Sequence, residues 1–285
     1  MKSLDWITLT NPVALWWLFL ITASVVNILF WTWTRIYLYK NVFIKNFRPF
    51  DFKPENLIWF SGLYVFGCAY RSIFIKADVQ RICLFDTWFS SVFLGRSVAT
   101  IAELAFVIQW SIVLRYLAKN TNDDFIEKLS RLIVPLILIA ECFSWFAVIT
   151  TNYLGNSIEE STWTLTYTLI VYMLIKLWSK FKGAFKYAIS LSIFCNIVYI
   201  GFMIFVDVHM YINRFLEDLA NKKNHLNFIE GIIDLNSRWI VTYDIHQWKT
   251  EIPWMSLYFS FAVLVSIALC YVPLTKERLK KHLNL

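Results

Sequence analysis

Seven runs of about twenty mostly apolar residues punctuate this sequence, and a run of that length is what a helix needs to cross a bilayer core about 30 Å thick. They cover Pro12–Leu38, Asn56–Ile75, Val92–Leu117, Leu132–Thr150, Trp163–Trp178, Phe185–Met210 and Pro253–Val272. The segment Ile82–Ser91 is apolar but short, and it either lies at the interface or extends the third run. Composition agrees: 58% of the 285 residues are hydrophobic and 16% charged, against about 45–50% and 25% in a soluble domain. That excess excludes a water-soluble globule and a disordered chain, and five cysteines are too few for a disulfide scaffold.

The formal net charge of +7 does not point to nucleic acid, because the basic residues sit in short clusters between the apolar runs. Such clusters orient helices in a bilayer. Arg35 to Lys53, Arg115 to Arg131, Lys176 to Lys186 and Lys276 to Lys281 hold most of the 27 lysines and arginines. Placing them inside predicts an all-α polytopic bundle of seven helices, N-terminus out and C-terminus cytoplasmic. The first run is read as a retained helix, since its apolar stretch is too long for a signal peptide, Asp5 precedes it and no A-x-A site follows. Without repeats or Gly/Ser linkers, 1–285 is read as a single integral membrane domain. Its one sizeable loop, 211–252, carries two short amphipathic helical patterns and then the aromatic stretch Trp239–Trp248.

Ionisable groups at membrane depth are costly, so they face the bundle interior and find partners. Here they are Arg71, Arg96, Glu103, Glu141, Asp207 and His209, all in the predicted outer half or at its rim. Glu103 and Glu141 fall roughly 16 and 13 Å from the outer ends of consecutive antiparallel helices, at about 1.5 Å per residue. Arg96, Thr100 and Glu103 follow i, i+4, i+7 and share one helix face. Two close carboxylates in a low dielectric cannot both stay charged without a proton or a cation. The pair therefore suits acid/base chemistry or proton coupling, or, together with the arginines, a network that only fixes helix register.

Weaker candidates share that side. Asp207 and His209 stand two residues apart, which does not put both on one helical face, and the sixth helix is read as ending there. His246 lies in the aromatic stretch Trp239–Trp248, which is read as a lid over the site. Ser157 and Glu160 have capping-box spacing, which accounts for Glu160 and leaves Glu159 facing the cluster. Asn152 and Asn156 read as turn residues, and Gln109 and Asn196 as interhelical hydrogen bonders. Cys68, Cys142, Cys195 and Cys270 read as small apolar residues, Cys83 stands on the outer side without an evident partner, and no C-x-x-C occurs. The histidines are too few for a histidine metal site, soft ligands are lacking, and no metal or cofactor is specified.

No phosphate-binding glycine loop, H-E-x-x-H or G-x-S-x-G occurs, and the seventh run has no lysine for a Schiff base. Seven glycines and six prolines suit a stiff bundle with a preformed cavity better than helices broken for alternating access. The leading expectation is a membrane enzyme or binding protein for a lipid-like anionic substrate. Glu103, Glu141 and Asp207 would do the chemistry, and Arg71, Arg96, Glu159, His209 and His246 would hold the substrate. The alternatives are a proton- or cation-coupled transporter or channel, and a non-catalytic seven-helix receptor or structural subunit. Membrane lipids, an anionic lipid or a small molecule are the expected partners.

Overall fold

The computed structural model describes residues 6–8, 10–42 and 53–275. Lys45, Arg48 and the basic stretch Lys276–Lys281 therefore lie outside the described residues. The architecture is an all-α bundle: α1 (Pro12–Val42), α2 (Leu57–Ile73), α3 (Val92–Asn120), α4 (Asp124–Ser130), α5 (Ile133–Thr150), α6 (Tyr153–Trp178) and α7 (Gly183–Phe202). A six-residue π turn, Met203–Val208, joins α7 to α8 (His209–Ala220). After α9 (Phe228–Ser237) and the short α10 (Ile245–Trp248), the last helix runs as α11 (Ile252–Leu257), a second π turn (Tyr258–Ala262) and α12 (Val263–Leu269).

Among the described residues, five helical stretches are long and apolar enough to cross a membrane: Pro12–Lys40, Val92–Asn120, Asp124–Thr150, Gly183–Ala220 and Ile252–Leu269. The second and fifth apolar runs are also helical, but α2 has only 17 residues, and α6 carries serines, threonines and glutamates through its first half. Large apolar side chains cover the outside, Phe205 of the first π turn being 79% exposed. That surface suits hydrocarbon rather than water.

Helix ends follow local chemistry. Asn11 Oδ1 accepts from the Val13 amide with Pro12 at the first helical position, and Ser91 caps α3. Thr151, left-handed at φ 57°, ends α5, and Asn152 starts α6 by accepting from the Leu154 amide. α6 thus begins ten residues before Trp163, and Ser157 and Glu160 stand inside it, so the capping reading of Glu160 is corrected. The Ser157 hydroxyl instead donates to the Tyr153 carbonyl. Gly155 lets α5 and α6 touch, since a Cβ there would lie 2.6 Å from the Phe143 carbonyl oxygen.

Two further expectations change. Ile82–Ser91 does not extend α3; it holds strand β2 (Ile82–Cys83) and a single 3-10 turn. β2 pairs antiparallel with β1 (Lys76–Ala77) and parallel with β3 (Ile240–Val241). The sixth helix does not end near Asp207 but continues through the π turn to Ala220.

The strands form a cap over one end of the bundle. Its staple is Arg81, only 1% exposed and left-handed at φ 59°. Arg81 reaches Asp234 Oδ2 at 2.7 Å through Nε, the Asp78 carbonyl through Nη1 and the Val148 carbonyl through Nη2. One side chain thus ties the β1–β2 turn, the α9 end and α5 together. Glu251 is a second buried node, accepting from Gln80 Nε2, Arg214 Nη2 and Trp254 Nε1. Cys83 is buried in the cap; burial pushes its thiol up to about 11, which keeps it protonated at neutral pH.

Candidate functional site

Under the cap, α2, α3, α5 and α6 bring their ionisable side chains together. Arg96 Nη2 lies 2.8 Å from Glu103 Oε2, 2.8 Å from Glu141 Oε2 and 3.5 Å from Glu159 Oε1. The i, i+7 spacing on α3 puts Arg96 and Glu103 on one face; α5 and α6 then deliver the two other carboxylates from across the interface. The Thr100 hydroxyl donates to Glu141 Oε2 at 2.5 Å and accepts from Trp145 Nε1. The Tyr258 hydroxyl, carried on the second π turn, donates to Glu103 Oε1 at 3.0 Å. Arg71 Nη1 lies 3.8 Å from Glu103 and its Nη2 3.9 Å from Asp78.

Three carboxylates here share one guanidinium in a dry setting, an excess of negative charge that a proton or a bound cation must offset. Glu141 Oε1 and Asn156 Oδ1 are buried without a hydrogen-bond partner. Among the described residues Glu103, Glu141 and Glu159 could hold a metal ion, their oxygens lying within 4.8 Å of one another. Arg96 Nη2, in contact with all three, already fills that role with a fixed cation. A proton-holding cluster fits this donor set better than a metal centre.

Beside the cluster is a cavity of about 440 Å³, lined by Arg71, Lys76, Asp78, Arg96, Glu103, Glu159, Glu160 and Asp207 at its polar end. Trp163, Tyr167, Tyr199, Trp254 and Tyr258 add aromatic walls. Phe194 and Val198 of α7, and Leu257 and Phe261 of the last helix, line the cavity and are exposed. The mouth therefore opens sideways through the bundle wall. Both π turns border it, one carrying Asp207 and the other Tyr258, Phe261 and Ala262. An extra residue per turn re-aims side chains, and π segments recur at functional sites.

Compared with family models, curated proteins and solved structures, the chain matches none. Its site must be read from geometry alone.

Farther along α2, α3 and the last helix the cavity is lined by Tyr64, Phe106, Trp110 and Val265. Tyr64 and Phe106 stack with ring centroids 4.5 Å apart. Below them Gln109 Nε2 donates to the Leu57 and Ser266 carbonyls, and the Ser266 hydroxyl donates to its Oε1. Gln109 is thus the interhelical hydrogen bonder the sequence predicts. Asn196 is not: it donates within its own helix, to Ser192, while its Oδ1 is unpartnered and the residue lines the cavity.

Of the sequence candidates, Arg71, Arg96, Glu103, Glu159 and Asp207 line the cavity, and Glu141 joins through Arg96 and Thr100. His209 and His246 do not belong to it. His209 is exposed on the side of the helix away from buried Asp207, as its i+2 spacing dictates, and His246 is exposed on α10. Nor does Trp239–Trp248 form a lid. Trp248 is fully buried against Trp16, with ring centroids 5.7 Å apart, and Trp239 Nε1 donates to Asp86. Sequence reasoning missed Lys76, Asp78 and Glu160. Glu160 was hidden by its apparent cap, although two adjacent glutamates inside a long apolar helix are themselves a signal.

Lys76 has a measurable signature. Its ammonium donates to the Phe89 and Ser91 carbonyls at 2.9 Å each, crossing α3 where Gly95 leaves room. Burial lowers its pKa from the ordinary 10.5 to about 8. Between those values the unfolded chain holds the Lys76 proton more tightly than the folded one, so stability rises with pH across about 8 to 10.5. The gain is at most about 3 kcal/mol. Lys76→Met should flatten that rise in unfolding scans at successive pH values; an unchanged slope refutes the assignment.

Proposed function

We propose that this chain is a multi-pass membrane protein of seven spans that admits a lipid-like molecule from the bilayer into the cavity and holds it beside the glutamate cluster. One observation carries this reading: the cavity has an apolar mouth in the bundle wall and an ionisable inner end. An amphiphile matches both, since pockets of about 300–1,000 Å³ with few convergent polar groups are typical ligand sites. Glu103 and Glu141, joined through Arg96, are the acid/base pair of such a site, whether it turns the ligand over as an enzyme or only binds it. The fully bonded Gln109 beside the lining residue Trp110 favours a blind pocket over a transport route. In this reading the cap and the cluster face the non-cytoplasmic side, and the basic loops face the cytoplasm.

The anionic headgroup expected from sequence finds less support. Arg96 is engaged by three glutamates, and Arg71 lies between Asp78 and Glu103. An anion would have to compete with these buried carboxylates for both guanidiniums.

Val198→Trp tests the reading by filling the mouth. Native mass spectrometry of purified protein is expected to show a retained lipid-like molecule on the unaltered chain. Its occupancy should fall at least about fivefold in the variant, because a wedged mouth removes the contact area that binds it. Equal retention by both, at equal thermal stability, would sink the proposal.

A further inference from the structure

Each basic group lining the cavity lies within hydrogen-bond or ion-pair distance of an acceptor, although Arg71 makes no hydrogen bond among the described residues and Arg96 Nε is unpartnered; two of the cavity's acids have no such partner. Among the described residues, neither Glu160 nor Asp207 makes a side-chain hydrogen bond or lies within ion-pair distance of a cation, although Asp207 is only 7% exposed. The guanidiniums of Arg96 and Arg214 contact other glutamates: Glu103, Glu141 and Glu159 in one case, Glu251 in the other. Glu160, Asp207 and Tyr199 line the same cavity. Glu160 stands in the first half of α6 and Asp207 in the π turn, and both line the cavity.

From this arrangement we infer that Glu160 and Asp207 recognise the cationic head of an amphiphile, an organic ammonium or protonated amine. The inference deepens the lipid-like reading above and rests on it. A carboxylate pair beside aromatic faces is the chemistry that binds ammonium groups, through charge and through the negative face of the rings. Tyr199 and Trp163 supply those rings, and the unpartnered Asn196 Oδ1 adds an acceptor. The cavity lining carries five carboxylates against three basic side chains, Arg71, Lys76 and Arg96, so a bound cation relieves this imbalance, whereas an anion would have to compete with the carboxylates beside both guanidiniums. The exposed apolar mouth selects an organic cation with a hydrocarbon tail over a hydrated inorganic ion.

The test is equilibrium binding of octyltrimethylammonium to the full chain in dodecyl maltoside, with octyl sulfate and octyl glucoside as competitors of equal tail. Saturable ammonium binding is expected, with each competitor at least about tenfold weaker. Glu160→Gln and Asp207→Asn should each weaken the ammonium about tenfold or more, as a buried charge partner is lost. Equal affinity for the three heads, with Val198→Trp blocking all of them, overturns the cationic head and leaves the cavity reading standing. No saturable binding of any probe overturns both. Unchanged ammonium affinity in both carboxamide variants also overturns the assignment. Should either variant fail to fold, the ranking of the three heads on the unaltered chain decides alone.

Discussion

Replacing Arg96 with methionine is expected to cost about 3–5 kcal/mol of stability, the usual penalty for removing one partner of a buried ion pair. The cost comes less from the lost attraction than from what is left behind. Glu103, Glu141 and Glu159 are 5%, 3% and 4% exposed, and without the guanidinium they face one another with no cation in contact except the more distant Arg71. Protons must then be taken up, or the α3–α5–α6 interface must open to water. Unfolding of the purified protein in detergent, read by circular dichroism, measures the loss. A second variant separates charge from packing: adding Glu103→Gln and Glu141→Gln to Arg96→Met should restore a large part of the stability, because uncharged amides no longer repel. A loss below about 1 kcal/mol for Arg96→Met would place the cluster in contact with water and undo its description as a buried charge network.

The second large effect is expected in the cap. Arg81→Ala removes three contacts at once and strands the buried Val148 carbonyl, while Asp234 keeps its ion pair with Arg238, for about 3 kcal/mol. The left-handed backbone at Arg81 adds strain that no new contact repays. Because β1–β2 and α9 are joined through this side chain, the damage should be local first. Limited proteolysis is expected to cut the 221–252 segment faster in Arg81→Ala while the helices of the bundle stay protected. Arg81→Lys should recover only part of the loss, since an ammonium cannot reproduce the planar fork to two elements. Unaltered cleavage in the alanine variant would show that the cap is held by its apolar contacts instead.

Much of the architecture was legible before any coordinates. Partition into hydrocarbon depends on local composition, so the apolar runs marked the helices, and the rarity of charge within them marked Arg71, Arg96, Glu103 and Glu141. Spacing along α3 put Arg96 and Glu103 on one face because a helix has a fixed period. The same local logic failed wherever it assumed a helix end. Ser157–Glu160 looked like a cap and Asp207 looked terminal, yet both lie inside continuous helices.

Sequence by itself thus determined an all-α membrane-type bundle with ionisable groups gathered toward one end, since hydropathy and helical period act within a segment. Tertiary structure alone decided which charges meet. It engaged both arginines with glutamates, left Glu160 and Asp207 without a counter-ion in contact, turned His209 and His246 outward, and drew Arg81 into a cap. Those outcomes depend on how each helix is rotated and set in depth against its neighbours, and on two π turns that shift that rotation. Both are fixed by packing between residues far apart in the chain, where no local pattern reaches.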